Sequence, residues 1–334
     1  MIKFYKPTIK RAEMKAVLES MVDESIGIGN KGVEFSSQLN SFLAIKYSRC
    51  FRSYTDAIFQ AFKALALDGT SCLLLSSLTD RVYLEILNQL NIKYIIKDIS
   101  LTDGLIPFEV VKETLDKEGI THYLLFSPFS QTVESLEVYK ELGLKVIEDI
   151  SQSIGSKIIN REYSADITIA RFEDYDIITS GGGSALLTND EEIFNAINET
   201  KYSKMTDLNA SLAIVQLREL NALLEKRNAL YRLYLNSSLK TGVNVFGQKS
   251  IDFFSNGYAF IAIVDSRVET SLNMCKKYDI EAKLFDFETV LLEVDFDNYP
   301  NASTLMSRGV LIPLYPHLST KDTQTIVKVV AYIK

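Results

Sequence analysis

Tryptophan is absent from this 334-residue chain, and histidine and cysteine are scarce, with two and three copies. Two histidines and no closely paired cysteines offer almost no ligands for zinc, so no metal site is expected. The three cysteines, at 50, 72 and 275, are widely spaced, which indicates reduced thiols rather than a disulfide framework. The sequence also lacks a run of about 18 apolar residues and the apolar core of a signal peptide. We therefore expect a soluble, cytoplasmic protein without membrane contact.

An excess of positive charge is also missing. The formal net charge is -7, which gives no electrostatic footprint for nucleic acid or for an anionic membrane surface. Apolar residues make up 47% and charged residues 24%, as in ordinary globular proteins. The length suffices for one large domain and a smaller one, each with a buried core.

Apolar, strand-like runs alternate with amphipathic helical patterns through the first two-thirds of the chain. Such alternation is typical of α/β crossovers, and it predicts a largely parallel sheet covered by helices on both faces. The predicted helices are 11–22, 33–45, 56–67, 81–90, 108–116 and 133–142, and the predicted strands are 72–75, 93–99, 121–126 and 145–148.

The pattern changes near Asp207, where a stretch rich in Leu, Ala, Glu, Lys and Arg begins. It predicts a long helix at about 207–238 that bridges two domains. We place the large domain at 1–238 and a small C-terminal α+β domain at 239–334. Within the latter we expect a turn-rich stretch at 241–257, a strand at 259–264, a helix at 268–278, a loop around Pro300 and a last helix from Thr320.

Five short motifs follow one another over about 270 residues of the chain. The most specific is Val-Ile-Glu-Asp-Ile-Ser-Gln-Ser at 146–153, and the others lie at 53–57, 205–208, 299–302 and 311–316. Together they resemble the sugar aminotransferases of the DegT/DnrJ/EryC1/StrS family, whose counterpart of 146–153 reads Val-Ile-Glu-Asp-Ala-Ala-Gln-Ala. The resemblance implies a fold-type-I aminotransferase architecture, the cofactor pyridoxal phosphate and a homodimer-like assembly.

The resemblance also shows a missing residue. In the family, a Phe is followed by the lysine that forms the Schiff base with pyridoxal phosphate, and then by a Gly-rich turn. When Phe172 and glycines 181–183 are matched to that pattern, Asp176 falls on the lysine. A carboxylate cannot form an imine, so covalent catalysis through this position is excluded and no catalytic residue is assigned.

Other cofactor positions are altered as well. The resemblance keeps the acid that would protonate the ring nitrogen, the partner of the ring hydroxyl and one hydroxyl of the phosphate loop. It replaces the stacking aromatic, the glycine of that loop and the serine before Phe172. The retained residues are Asp149, Gln152 and Thr55, and the replacements are Asp80, Tyr54 and Arg171.

Each of these residues also has a plainer interpretation. For Asp149 we favour a strand-end carboxylate that caps a loop over a cofactor ligand, and for the glycine run a tight turn into a strand. Arg171 has the chemistry to hold an anion in an old phosphate pocket, but we favour an ion pair with Asp149, Asp176 or Asp80. Lysines 157, 201 and 204 are candidates to replace the missing one, although a structural role is simpler for Lys204.

Three functional hypotheses follow. The leading one is a catalytically degenerate family member without bound cofactor, acting as a dimerising or regulatory subunit in sugar-nucleotide or surface-glycan biosynthesis. It would form a homodimer, or a heterodimer with an active paralogue. The second is an active pyridoxal-phosphate-dependent aminotransferase or dehydratase on a 4-keto sugar nucleotide that uses another residue. The third is a binding protein for a nucleotide sugar, with Arg171 as anion anchor.

Overall fold

A seven-stranded sheet forms the centre of the molecule in the computed structural model, which describes residues 1–158, 161–265 and 267–333. Its strands are β1 (Tyr47–Phe51), β2 (Cys72–Ser76), β3 (Lys93–Lys97), β4 (His122–Phe126), β5 (Lys145–Asp149), β7 (Ile167–Arg171) and β8 (Ser184–Thr188), in the order β1-β8-β7-β5-β4-β2-β3. Four of the six neighbouring pairs are parallel, and only the pairs of β8 with β7 and with β1 are antiparallel. The predicted α/β class with a mostly parallel sheet is confirmed.

Helices cover both faces of this sheet. Along β2, Leu73 and Leu75 belong to one apolar cluster while Leu74 belongs to another, because successive side chains of a strand point to opposite faces. The helices of this region are α1 (Arg11–Val22), α2 (Lys31–Leu43), α3 (Tyr54–Ala64), α4 (Val82–Gln89), α5 (Phe108–Glu118), α6 (Glu137–Lys140) and α7 (Glu191–Ala196). The predicted helix at 133–142 is wrong in extent, since only the four residues of α6 are helical.

One long helix, α8 (Asp207–Thr241), joins two apolar cores. It begins where the Thr206 hydroxyl accepts a hydrogen bond from the Asn209 amide, and it ends at Gly242, which takes a left-handed conformation. Its first half packs into a cluster with α2, β7 and β8, and its second half packs against the C-terminal strands. The predicted bridging helix at 207–238 is therefore observed, three residues longer.

The C-terminal part is built on a four-stranded antiparallel sheet in the order β12-β13-β11-β9. Its strands are β9 (Asn244–Val245), β11 (Phe260–Ile263), β12 (Lys283–Leu284) and β13 (Gly309–Ile312), and its helices are α9 (Val268–Lys277), α10 (Pro300–Arg308) and α11 (Thr320–Val330). A two-stranded sheet pairs β6 (Lys157–Ile158) with β10 (Phe253–Phe254). The domain limits 1–238 and 239–334 stay a prediction.

The loop expected around Pro300 is not observed. The loop predicted around it is in fact the start of α10, with Pro300 in the first turn. Proline is favoured there because the first amide groups of a helix have no intrahelical acceptor and because its fixed φ suits the helix. In the part of the chain that is described, we find no helix with the length and apolarity needed to cross a bilayer.

Candidate functional site

The candidate site lies at the carboxyl edge of the parallel strands. Asp149 ends β5 and Arg171 ends β7, and these strands are direct neighbours in the sheet. Asp80 lies in the loop after β2, and Tyr54 is the first residue of α3. Because parallel strands end at the same edge, four residues that are distant in sequence meet at one place, as ligand-binding residues do in α/β folds.

Asp149 is fully buried, and its carboxylate is held by three donors. Oδ1 accepts a hydrogen bond from the Ser151 amide at 2.8 Å, and Oδ2 accepts one from the Tyr83 hydroxyl at 2.6 Å. The Tyr54 hydroxyl donates to the same Oδ2. Burial, and then the charge of Asp149, raise the pKa of both tyrosines well above the ordinary value, so both hydroxyls keep their protons and remain donors.

Arg171 connects the altered positions with one another. Its Nε lies 3.0 Å from Oδ2 of Asp176, and its Nη1 lies 2.8 Å from Oδ2 of Asp80. The centre of its guanidinium group lies 5.0 Å from the centroid of the Tyr54 ring, within cation–π range. We call Tyr54, Asp80, Asp149, Arg171 and Asp176 the Arg171 cluster. The expected ion pair is confirmed for two carboxylates, whereas Asp149 binds the tyrosine hydroxyls instead.

Asp176 is the most buried member of the ion pair, with 1% of its side chain exposed. Its Oδ2 also accepts a hydrogen bond from the Glu173 amide at 2.8 Å. Burial raises the pKa of Asp176 to about 6, and Arg171 counteracts only part of that rise. Burial is the largest single effect on the pKa of Arg171 and lowers it, but Asp176, Tyr258 and Tyr54 together outweigh burial and raise the pKa, so the guanidinium stays charged.

The other expected site residues lie beside the cluster but have different partners. Oε1 of Gln152 accepts a hydrogen bond from the Phe129 amide at 3.0 Å, and Thr55 is exposed, with its hydroxyl 3.1 Å from that of Ser53. Gly183 has a φ of +111°, and a Cβ there would lie 3.3 Å from the Phe51 carbonyl oxygen. The glycine run therefore forms the tight turn into β8.

The candidate replacement lysines have partners elsewhere. The Lys204 amino group lies 3.1 Å from Oε1 of Glu199, and that of Lys157 lies 5.5 Å from the centroid of the Phe254 ring. Lys201 is exposed. Within residues 1–158, 161–265 and 267–333, no group of three or more His, Cys, Asp or Glu side chains could hold a metal ion.

Two tyrosines of the site, Tyr83 and Tyr258, are not among the residues expected from the sequence. Tyr83 follows Asp80 by three residues at the start of α4, so helical spacing from the altered position could have identified it. Tyr258 lies close enough for the charges of Asp176 and Arg171 to influence its pKa, which burial raises. No local signal marks Tyr258, because it reaches the cluster from the C-terminal part of the chain.

The fold and the position of the site define a fold-type-I aminotransferase-like protein. The sequence profile of the DegT/DnrJ/EryC1/StrS aminotransferase family matches residues 7–331, so the chain belongs to that family. The chain is 23% identical over 336 residues to a dTDP-4-amino-4,6-dideoxy-D-glucose transaminase of Shigella dysenteriae, covering 90% of this chain and 89% of that protein.

Solved structures agree on the fold. The pyridoxamine-phosphate form of a putative sugar aminotransferase from Streptococcus pneumoniae, Spr1654, has a TM-score of 0.87 at 17% identity, covering 98% of this chain and 96% of that one. The same protein has been solved in its pyridoxal phosphate form. A GDP-4-keto-6-deoxymannose-3-dehydratase has a TM-score of 0.86 at 13% identity, covering 99% of this chain and all of that one.

The residues of this chain do not fit pyridoxal phosphate held in the family's way. Asp176 has no amine at the position matched to the Schiff-base lysine. Oδ2 of Asp149, matched to the partner of the ring nitrogen, already accepts two tyrosine hydroxyls. Asp80 offers a carboxylate in place of an aromatic ring face, and it is bound to Arg171.

Proposed function

We propose that the chain is a catalytically inactive member of its family, which does not hold pyridoxal phosphate covalently. It acts as a dimerising or regulatory subunit in sugar-nucleotide or surface-glycan biosynthesis, as a homodimer or paired with an active paralogue. The observation that carries the proposal is the Arg171 cluster, in which the residues at the altered cofactor positions bind one another.

The replacements form a mutually compatible set. A carboxylate at 176 alone would leave a buried negative charge near Asp149, which is costly without a cation. Arg171 supplies that cation and also pairs with Asp80. Tyr54 places its hydroxyl on Asp149 and its ring under the guanidinium. Each change is stabilised by another, which supports a site adapted to stability without a cofactor.

An exposed apolar surface supports the subunit role. On α1, Met14, Leu18 and Met21 follow helical spacing and are each more than half exposed, at 51%, 59% and 57%. The helix packs on α8, so this stripe is its outer face. Further exposed apolar side chains follow along the chain, from the last residue of α1 to the first turn of α2: Val22, Ile26, Ile28 and Val33. Exposed apolar side chains concentrated in one segment of a chain are typical of a protein–protein interface. We call these seven residues the α1 surface.

The cofactor part of the proposal is tested by borohydride trapping. Purified protein is incubated with pyridoxal phosphate, reduced, and digested for peptide mass spectrometry. We expect no absorbance band of an internal aldimine and no pyridoxyl adduct beyond the scattered surface lysines that free aldehyde modifies. A single dominant adduct at one buried lysine would overturn the proposal.

An Asp176→Lys variant is the matched control for that experiment. It restores the amine but leaves the Tyr54 hydroxyl on Asp149 and the Asp80 carboxylate in place. We expect no adduct at position 176 in this variant. An adduct there would show that the rest of the pocket still accepts the cofactor, contrary to the proposal.

The subunit part is tested by light scattering coupled to size-exclusion chromatography, alone and after co-expression with an active family member from the same genome. A stable dimer of either kind supports the proposal. A monomer at micromolar concentration that does not co-purify with the paralogue contradicts it.

A second candidate is a cofactor-dependent aminotransferase or dehydratase that acts on a 4-keto sugar nucleotide through another residue. It is favoured by the similarity in fold to a dehydratase. Turnover of a keto-sugar nucleotide with glutamate and added pyridoxal phosphate would support it, and inactivity across a substrate panel would count against it.

A third candidate is a nucleotide-sugar binding protein with Arg171 as anchor. Two carboxylates already engage that guanidinium, which disfavours a further anion there. A thermal-shift screen with nucleotide sugars but no cofactor separates this candidate from the first, because a specific ligand raises the melting temperature.

A further inference from the structure

A cavity of about 470 Å³ lies between the first residues of the chain, the loop after β7 and the C-terminal sheet. We call it the Arg227 cavity. Its wall contains none of the five residues of the Arg171 cluster, but the cavity adjoins that cluster through Tyr258, which lines it and whose pKa the charges of Asp176 and Arg171 influence. Its volume lies within the range of small-molecule sites in proteins.

Arg227 places a buried positive charge in the wall of this cavity. The residue belongs to α8 and is only 5% exposed. Its Nη1 donates to the carbonyl oxygens of Gly257 and Leu314, at 3.1 and 3.4 Å. No carboxylate forms an ion pair with it in the described part of the chain, and burial lowers its pKa to about 10. Buried charges are ordinarily paired, because an unpaired one is costly.

The guanidinium also has donors to offer. It carries five N–H groups, and only those of Nη1 bond to protein acceptors among the described residues. Since Arg227 lines the cavity, its remaining donors suit a two-oxygen partner such as a carboxylate or a phosphate. Lys283, also in the wall, adds a second positive charge.

Aromatic side chains line the same space. The ring centroids of Tyr5 and Tyr175 are 4.9 Å apart, and those of Tyr258 and Phe287 are 6.5 Å apart. Such walls favour a planar, apolar body. The wall also contains two exposed carboxylates, Asp286 and Glu288, which disfavour a second acid group on the ligand.

We propose that the Arg227 cavity binds a small organic acid, with one carboxylate or phosphate on Arg227 and a planar ring against the aromatic wall. The proposal does not rest on the function proposed above, because none of the five residues of the Arg171 cluster lines the cavity. A bound acid would supply the anionic partner that this guanidinium lacks among the described residues.

Isothermal titration calorimetry with four probes tests the chemistry. Benzoate and phenyl phosphate carry both features, benzyl alcohol has the ring without the acid, and inorganic phosphate has the acid without the ring. We expect at least one of the first two to bind about tenfold more tightly than each of the last two. The preferred probe distinguishes a carboxylate ligand from a phosphate ligand. Equal binding of benzyl alcohol, or no binding of either acid at millimolar concentration, would overturn the proposal.

Three variants locate the site. Arg227→Gln keeps a donor for the two carbonyl groups but removes the charge, and we expect it to weaken binding of the acid at least about tenfold. Tyr175→Ala removes an aromatic ring from the cavity wall, so it should weaken binding as well. Because Tyr175 is 57% exposed, we expect this variant to fold even if Arg227→Gln does not. Arg218→Gln, on the same helix but 60% exposed and paired with Glu34, is the control and should bind normally. Unchanged affinity in Tyr175→Ala, or in folded Arg227→Gln, would refute the assignment.

Discussion

Arg171 Nε lies 3.0 Å from Oδ2 of Asp176, so the residue that we match to the family's Schiff-base lysine is bound to a cation of the same chain. The two residues are five positions apart, at the end of β7 and in the loop that follows it. Asp80, in the loop after β2, is the second carboxylate that binds Arg171. Asp176 is therefore part of an ion-pair network with Arg171 and Asp80.

Removing the cation should destabilise the fold strongly. In Arg171→Met, the buried Asp176 and the partly buried Asp80 lose their only cationic partner in the described structure. We expect the free energy of unfolding at pH 7 to fall by about 3 to 5 kcal/mol in urea titrations. The control Arg218→Met removes an exposed ion pair and should cost less than about 1 kcal/mol. Equal losses in the two variants would mean that the network contributes nothing beyond an ordinary surface pair.

The pH dependence of stability should carry the signature of Asp176. Its pKa rises from 3.8 to about 6 on folding, so the folded protein holds this proton more tightly than the unfolded chain does. The contribution of this carboxyl to stability is complete below about pH 3.8 and is lost as the pH rises through about 6. Relative to Asp176→Asn, which does not titrate, wild type should lose more than about 1 kcal/mol between pH 5 and 7.5.

The measurement for this prediction is urea unfolding of both proteins at several pH values across that range. Using the difference between them cancels the titration of groups that they share. Two parallel curves, or a wild type that gains stability with pH relative to the variant, would contradict a raised pKa for Asp176.

The tyrosine hydroxyls on Asp149 should contribute measurably. Tyr54→Phe leaves the ring but removes one donor from a fully buried carboxylate. We expect a loss of about 1 to 3 kcal/mol in the free energy of unfolding, and a similar loss for Tyr83→Phe, because each variant removes one of the three hydrogen-bond donors of a buried carboxylate. Tyr202→Phe, at a residue 80% exposed, should change stability by less than about 0.5 kcal/mol. A silent Tyr54→Phe would show that the hydroxyl is not needed on Asp149.

The α1 surface should control assembly. Leu18→Glu places a charge in the centre of the exposed apolar stripe, and we expect it to raise the dissociation constant of the dimer at least about tenfold by light scattering. Ile251→Glu, at a residue 88% exposed outside this surface, should leave assembly unchanged. Dissociation by Ile251→Glu alone would move the interface away from α1.

The regular elements were largely predictable because their patterns are local. The helix at Arg11–Val22 was predicted with its observed bounds, and the strand Lys145–Asp149 within one residue, since periodicity reports directly which side chains face a core. The prediction of a loop around Pro300 is wrong because proline is found in the first turn of helices as well as in loops. Whether a helix follows depends on the residues after the proline. The short β9 and β10 depend on partners from distant parts of the chain, which periodicity cannot reveal.

For the site, the sequence by itself determined the family and the chemistry that is excluded, because an aspartate at 176 cannot form an imine in any fold. It also identified Arg171 as a partner for nearby carboxylates, because the excess of negative charge is visible in the residues alone. Only the tertiary structure decided which carboxylates Arg171 binds and that tyrosines hold Asp149. The reason is physical: which groups meet at the edge of a sheet depends on strand order, and strand order is set by packing across the whole molecule.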